Sequence, residues 1–111
     1  MGPKQMNEYR INVTDLADTD LEDIFDYVAG TLKEPTTALN LVERLYAAIN
    51  KLASYPFRCP LAKDSFLAKQ GFRTLFIDNY IVFYVVDEKE HKVIVHRVCY
   101  GKRQYRNLFE Q

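Results

Sequence analysis

Three apolar, β-branched segments in the second half of the chain constrain the fold most strongly. They cover residues 72–77, 80–86 and 93–100, and only Asp78-Asn79 and the polar stretch DEKEHK separate them. Runs of this kind, bounded by turn-forming residues, predict consecutive antiparallel strands joined by hairpins. Such a sheet needs a second layer to cover its apolar face. The rest of the sequence must therefore supply helices.

Two amphipathic helices are predicted in the first half of the chain. Thr14 or Asp15 can cap the first helix, and Gly30 marks its end. Pro35 suits the first turn of the second helix, which ends before Pro56. The short link between Gly30 and Pro35 predicts an antiparallel helical hairpin. The two apolar stripes consist of Leu21, Ile24, Phe25 and Val28, and of Ala38, Leu41, Val42, Leu45, Ile49 and Leu52.

The order of elements predicts a βααβββ chain of the α+β class. Residues 8–14 alternate in polarity and form the first strand, whereas residues 56–71 hold two prolines and a glycine and are predicted to be a loop. We expect one domain over residues 6–111, with the helical hairpin on one face of an antiparallel-rich sheet. Residues 1–5 are expected to be an expression remnant or a disordered start.

Composition excludes several classes of protein. A hydrophobic content of 48% supports one core, but the longest apolar stretch is far shorter than the roughly 20 residues of a membrane-spanning helix. No secretory signal is recognisable, so we expect a cytoplasmic protein without a membrane partner. Cys59 and Cys99 form no CxxC or Cys/His cluster, which predicts buried thiols and no metal or other cofactor. Nucleotide-binding and common hydrolase motifs are also absent.

Hairpin geometry predicts which side chains share a face of the sheet. A two-residue turn at Asp78-Asn79 places Arg73 opposite Tyr84, and a symmetric second loop places Val82 opposite Arg97. The more apolar face is assigned to the helices, with His96 pointing into it, unless a bulge shifts the register. The open face then carries Arg73, Leu75, Tyr80, Val82, Tyr84, Val95 and Arg97, and the helix-covered face carries Phe72, Phe76, Ile81, Phe83, Val85, Ile94 and Val98.

The basic residues cluster towards the end of the chain although the net charge is zero. Residues 1–35 hold three basic and eight acidic residues out of fifteen of each, so the remainder carries the excess of positive charge. Gly101 lets the chain turn back towards the open face. A basic, aromatic patch of this kind can hold phosphates by charge and bases by stacking. Its candidate members are Arg73, Tyr84, Arg97, Tyr100, Lys102, Arg103, Tyr105 and Arg106.

Simpler interpretations stand beside the functional one. Arginines on a sheet often pair with carboxylates, and a basic tail is often only solvated; the sequence leaves both alternatives open. Asp18, Glu22 and Asp26 follow helical spacing, but like charges at that spacing are typical of a solvated helix face and not of a metal site.

The ordered segments resemble the RelE/ParE superfamily, the toxins of bacterial type II toxin–antitoxin modules, which include plasmid stabilisation proteins. In the last strand of this family the pattern R-V-x-H-G-x-R is common. Arg97, Val98, Gly101 and Arg103 match it, and Tyr100 stands where a histidine is frequent. The resemblance rests on YRINVT, DLEDIFDYV, EPTTALNLVERLYAAINKLASYP, GFRTLFIDNYIVFYVVDE and VIVHRVCYGKRQYRNL.

This resemblance implies a growth-inhibiting toxin that a cognate antitoxin neutralises, with one of two activities. ParE-like members poison DNA gyrase, and the long hairpin and neutral charge favour this activity. RelE-like members are metal-independent, ribosome-dependent mRNA endonucleases, in which Arg73 and Arg97 would stabilise the phosphate and Arg103 would assist. Tyr100 would be the general base only where neighbouring cations lower its ordinary pKa of about 10. A third alternative is a non-toxic interaction module of the same fold.

The resemblance and the predicted register also imply where the antitoxin binds and which side chains matter. We expect an antitoxin segment with carboxylates and apolar anchors to cover the surface of Arg73, Tyr84 and Arg97. Arg97 and Arg103 are expected to affect toxicity more than folding, because a cation on an open sheet face contributes only about 0 to 1 kcal/mol to stability.

Overall fold

The predicted α+β fold and the βααβββ order are confirmed. The computed structural model describes residues 8–101 and Phe109. A short helix, α3, is added inside the segment that was predicted to be a loop. In chain order the elements are β1 (Arg10–Val13), α1 (Asp15–Asp26), a π-helical turn (Tyr27–Thr31), α2 (Pro35–Asn50), a 3-10 turn (Lys51–Ala53), α3 (Ser65–Lys69), β2 (Arg73–Ile77), β3 (Tyr80–Asp87) and β4 (Lys92–Tyr100).

The helical hairpin begins and ends close to the predicted residues. Thr14 is the N-cap of α1, and its Oγ1 accepts a hydrogen bond from the Ala17 N–H at 3.1 Å. Helix α1 ends at Asp26, and the chain then widens into the π-helical turn, which contains Gly30. Pro35 occupies the first turn of α2, as predicted.

The sheet has the strand order β1-β4-β3-β2. Strand β1 pairs in parallel with the first half of β4, from Arg10 opposite Lys92 to Val13 opposite Val95, and the other two pairs are antiparallel. Because β1 ends at Val13, the second half of β4 extends beyond it. That half of β4 lies beside α1 instead.

The predicted register is confirmed for the first hairpin, and in the second it holds from Asp87 opposite Lys92 to Tyr84 opposite Val95 but not beyond. Arg73 lies opposite Tyr84, as expected. In the second hairpin a β-bulge shifts the pairing between Phe83 and Tyr84, so that Val82 lies opposite Val98 and not opposite Arg97. The bulge inserts one extra residue into β4, and every later residue of that strand moves by one position.

The assignment of the two sheet faces is also wrong, because the faces are exchanged. The helices pack on Leu75, Val82, Tyr84 and Val95, which were predicted to lie on the open face. The phenylalanine-rich face is covered instead by the segment that precedes β2, and Phe76, near the end of β2, is 62% exposed. This second apolar cluster consists of Ala62, Leu67, Phe72, Ile81, Phe83 and Cys99, with Val85 and Phe109 packed against it.

The covering segment can replace the helices because it carries its own capped helix and its own apolar residues. Asp64 caps α3 through hydrogen bonds from the N–H groups of Phe66 and Leu67, and Leu67 is fully buried. His96 lies on this side, with its ring edge-on to Phe72 at a centroid distance of 5.1 Å. Its predicted position in the helix-facing core is therefore wrong.

We expect Leu45→Ala to lower the free energy of unfolding by about 2 to 5 kcal/mol, because Leu45 is fully buried between α2 and the sheet. Leu39→Ala is the matched control on the same helix, since Leu39 is 52% exposed, and it should change stability by less than about 0.5 kcal/mol. Urea denaturation measures both. Equal losses would contradict the assignment of the core.

We expect stability to fall as the pH is lowered through about 6.5, because burial lowers the pKa of His96 in the folded chain. Below this pH the unfolded chain binds a proton at His96 more readily than the folded chain does. The free energy of unfolding therefore falls by at most about 1.4 kcal/mol per pH unit. Urea denaturation between pH 8 and pH 5 should show a smaller loss for His96→Gln than for the parent chain. Identical pH profiles would exclude His96 as the source.

Candidate functional site

Arg97 lies at the bulge of β4 and forms an ion pair with Asp20 of α1. Its Nε donates to Asp20 Oδ2 and its Nη2 to Asp20 Oδ1, both at 2.8 Å. The Val98 backbone N–H also donates to Asp20 Oδ2, at 2.9 Å. The two side chains are only 15% and 13% exposed, and the hydrogen bond to Asp20 raises the pKa of Arg97. The prediction that Arg97 lies on an open face is wrong, because its guanidinium joins the strand to the helix.

Arg73 and Tyr84 hold the segment before β2 against the sheet. Arg73 Nη1 donates to the Cys59 carbonyl at 2.6 Å, and its guanidinium lies 5.0 Å from the centre of the Phe57 ring. Tyr84 is fully buried, and its hydroxyl donates to the Pro56 carbonyl at 2.8 Å. Burial raises the pKa of Tyr84, so its hydroxyl stays protonated. The predicted exposure of Tyr84 on an open face is wrong.

Tyr100 lies at the other end of the sheet from Arg73. It pairs with Tyr80, and Tyr80 pairs with Ile77, whereas Arg73 is four residues before Ile77 on β2. Four residues span about 13 Å along a strand, and two strand spacings add about 10 Å across the sheet. Arg73 and Tyr100 are therefore too far apart to contact the same phosphate.

Tyr100 borders a groove of about 570 Å³ between the end of α1 and the end of the sheet, which we call the tyrosine groove. Tyr100 is 41% exposed, and its ring meets the Tyr80 ring edge-on at a centroid distance of 5.6 Å. Burial and the neighbouring Tyr100 raise the pKa of Tyr80, so both rings belong to one partly buried cluster. The groove is lined by Asp20, Asp23, Ile24, Tyr27, Leu32, Tyr80, Val98, Cys99 and Tyr100.

The remaining candidates, Lys102, Arg103, Tyr105 and Arg106, lie outside the described residues. Of the described candidates, the structure brings Arg73 and Tyr84 together as a cross-strand pair, but it holds Arg97 on α1 and places Tyr100 at the far end of the sheet. These four residues therefore do not form the single patch predicted from the sequence, and their functional roles stay predictions. Sequence reasoning missed Asp20 as the partner of Arg97. The sequence contains no clear signal for the bulge in β4, and it is at this bulge that Arg97 and the Val98 N–H contact Asp20 of α1.

Two broader observations concern the kind of site. Within residues 8–101 and Phe109, no three His, Cys, Asp or Glu side chains are arranged to hold a metal ion. Across the same part of the chain, no helix has the length and apolar character needed to cross a bilayer. Cys59 and Cys99 are both buried, as predicted, and lie in different apolar clusters.

Comparison with known proteins decides the family. The family model described as "ParE toxin of type II toxin-antitoxin system, parDE" matches residues 11–105, which is most of the chain. The chain belongs to the ParE toxin family. A search of curated protein sequences finds no significant match.

Two solved structures share the fold of this ParE-family chain. One is a chain of the chromosomal ParDE toxin–antitoxin system from P. aeruginosa, with a TM-score of 0.70 and 20% identity, covering 85% of this chain and 97% of that one. The other belongs to the RelBE2 toxin–antitoxin complex from Mycobacterium tuberculosis, with a TM-score of 0.58 and 25% identity, covering 86% and 93%. The RelE/ParE resemblance read from the sequence is therefore confirmed.

We expect Arg97→Ala to lower the free energy of unfolding by about 3 kcal/mol, because it leaves the Asp20 carboxylate partly buried without its cation. Arg44→Ala is the control: the Arg44–Asp78 pair is exposed and should contribute about 0 to 1 kcal/mol. Thermal and urea unfolding measure both.

A double-mutant cycle with Asp20→Ala and Arg97→Ala should give a coupling energy of about 1 to 3 kcal/mol. A cost for Arg97→Ala no larger than that for Arg44→Ala would restore the original expectation that Arg97 is dispensable for folding.

Proposed function

We propose that this ParE-family chain is the toxin of a type II toxin–antitoxin module, that a cognate antitoxin neutralises it, and that it inhibits growth by poisoning DNA gyrase. The antitoxin partner is supported by the two structural relatives, both of which come from toxin–antitoxin systems. The gyrase target is supported by the family match over residues 11–105. The partner itself is expected to be encoded by a neighbouring reading frame.

The observation that carries the gyrase proposal is that the described arginine candidates are bound within the fold and that Arg73 lies far from Tyr100. A nuclease that cleaves through a ribose hydroxyl needs preorganised donors around one phosphate. Arg73 is bound to the segment before β2, Arg97 is bound to α1, and Tyr84 is buried. This arrangement favours inhibition by binding over catalysis of RNA cleavage.

The helical hairpin supports the same proposal, because it presents apolar side chains to solvent. Leu16 is 60% exposed, Leu39 is 52% exposed and Tyr46 is 38% exposed. Exposed apolar and aromatic residues of this kind are typical of surfaces that bind other proteins. A protein target such as gyrase suits this surface better than RNA does, since none of these side chains is cationic.

A RelE-like mRNA endonuclease is the second candidate, because the RelBE2 chain is 25% identical to this one over most of its length. In that case Arg103 and Tyr100 would act at the phosphate. A tyrosine has an ordinary pKa of about 10, so it would need nearby cations to act as a base. A non-toxic interaction module is the third candidate and predicts no growth arrest.

Induced expression, together with two purified assays, separates these functions. We expect growth arrest, loss of supercoiling by purified gyrase and accumulation of cleaved DNA, with cell-free translation unaffected. Co-expression of the neighbouring reading frame should restore growth.

Cleaved mRNA in the translation assay with normal gyrase activity would instead establish the nuclease, and Tyr100→Phe should then slow cleavage by about 100-fold or more. Growth without arrest, and no effect in either assay, would leave only the interaction module.

A further inference from the structure

The tyrosine groove has a chemical character that the proposed gyrase activity does not explain. Three tyrosine rings, from Tyr27, Tyr80 and Tyr100, line it together with apolar side chains from α1 and β4. Its volume, about 570 Å³, is within the range of pockets that bind compact ligands or single side-chain clusters. The cleft between the two helices is smaller, about 310 Å³.

The charged residues in the described lining of the groove are acidic. Asp20 and Asp23 line it, and none of its described lining residues is Lys or Arg. Arg97 already compensates Asp20. Asp23 is exposed and forms no ion pair with any residue among 8–101 and Phe109. The groove therefore presents one carboxylate, that of Asp23, which no described cation pairs with, beside aromatic rings.

Carboxylates and tyrosine rings together favour a cation. A guanidinium or ammonium group is attracted to the face of an aromatic ring, and a nearby carboxylate strengthens this attraction. Tyr27 is 54% exposed and Leu32 is 50% exposed, so a ligand that entered would also cover apolar surface. The π-helical turn that carries Tyr27 interrupts the regular helix at this point, and such turns are frequent at functional sites.

From this geometry we infer that the tyrosine groove binds the antitoxin through an Arg or Lys side chain next to a large apolar residue. The inference rests on the proposed function, since it names the contact by which the antitoxin holds the toxin. The sequence analysis expected antitoxin carboxylates to cover Arg73, Tyr84 and Arg97. The inferred contact has the opposite charges, with an antitoxin cation beside a toxin carboxylate. In the structure, Tyr84 is buried and both arginines have intramolecular partners.

Two short peptides test the chemistry without knowledge of the antitoxin sequence. The full chain, labelled with ¹⁵N, is titrated with N-acetyl-Phe-Arg-amide and, as a charge-reversed control, with N-acetyl-Phe-Glu-amide. We expect saturable shifts of the Val98, Cys99 and Tyr100 amide signals with the arginine peptide, and an affinity at least about tenfold weaker for the glutamate peptide. Equal affinities, or shifts confined to β2 and the segment before it, would overturn the inference.

A matched pair of variants assigns the contact to one helix face. Asp23→Lys should lower the affinity for the arginine peptide by about tenfold, because it replaces an electrostatic attraction with a repulsion. Glu22→Lys makes the same change one residue earlier, on the side that lines the smaller cleft, and should have little effect. Circular dichroism confirms that both variants are folded. Equal effects of the two substitutions would show only a nonspecific response to net charge.

The same variants separate this inference from the proposed function. Co-expression with the neighbouring reading frame should fail to rescue growth for Asp23→Lys and should succeed for Glu22→Lys, with growth arrest by each variant alone measured as the reference. Rescue of both variants would overturn the groove assignment and leave the toxin proposal intact. Absence of arrest by the parent chain would overturn the toxin proposal, and the peptide titration would still decide the chemistry of the groove.

Discussion

The Asp20 carboxylate joins the two layers of this fold where the sheet would otherwise have an unsatisfied edge. Strand β1 ends at Val13, so no strand among residues 8–101 and Phe109 flanks the second half of β4 on that side. Asp20 replaces the missing strand by accepting a hydrogen bond from the Val98 N–H and two from Arg97. A buried N–H without a partner is costly, so one carboxylate satisfies the edge and fixes the helix against it.

Local sequence signals predicted the elements of the fold well because their causes are local. The Thr14 cap, the proline at the start of α2 and the tight turn that sets Arg73 opposite Tyr84 each depend on residues within a few positions. The bulge within β4 is accompanied by contacts from Arg97 and the Val98 N–H to Asp20 of α1, and no short sequence pattern reveals contacts of that kind. Val98 reached the predicted helix-facing core only because the shift in register and the exchanged faces offset each other.

The candidate site was less predictable than the fold because its partners are distant in sequence. Arg97 donates to Asp20, which is 77 residues away in the sequence, and the Tyr84 hydroxyl donates to the Pro56 carbonyl, which is 28 residues away. Greater hydrophobicity also proved a poor guide to which sheet face the helices cover. The segment of residues 56–71 was predicted to be a loop because of its prolines and glycine. It nevertheless contributes buried apolar residues such as Ala62 and Leu67, and it covers the sheet face that was assigned to the helices.

The parallel pairing of β1 with β4 has a consequence for synthesis. Its contacts join residues 82 positions apart, so β1 gains the strand partner seen among the described residues only after β4 has been made. At a translation rate of about 5 to 20 residues per second, this delay is roughly 4 to 16 seconds. The ion pair between Asp20 and Arg97 joins residues 77 positions apart, so it forms after a similar delay. A newly made chain therefore completes this sheet only after β4 has been synthesised, and any partner that binds where α1 meets β4 encounters a complete surface instead of a growing fragment.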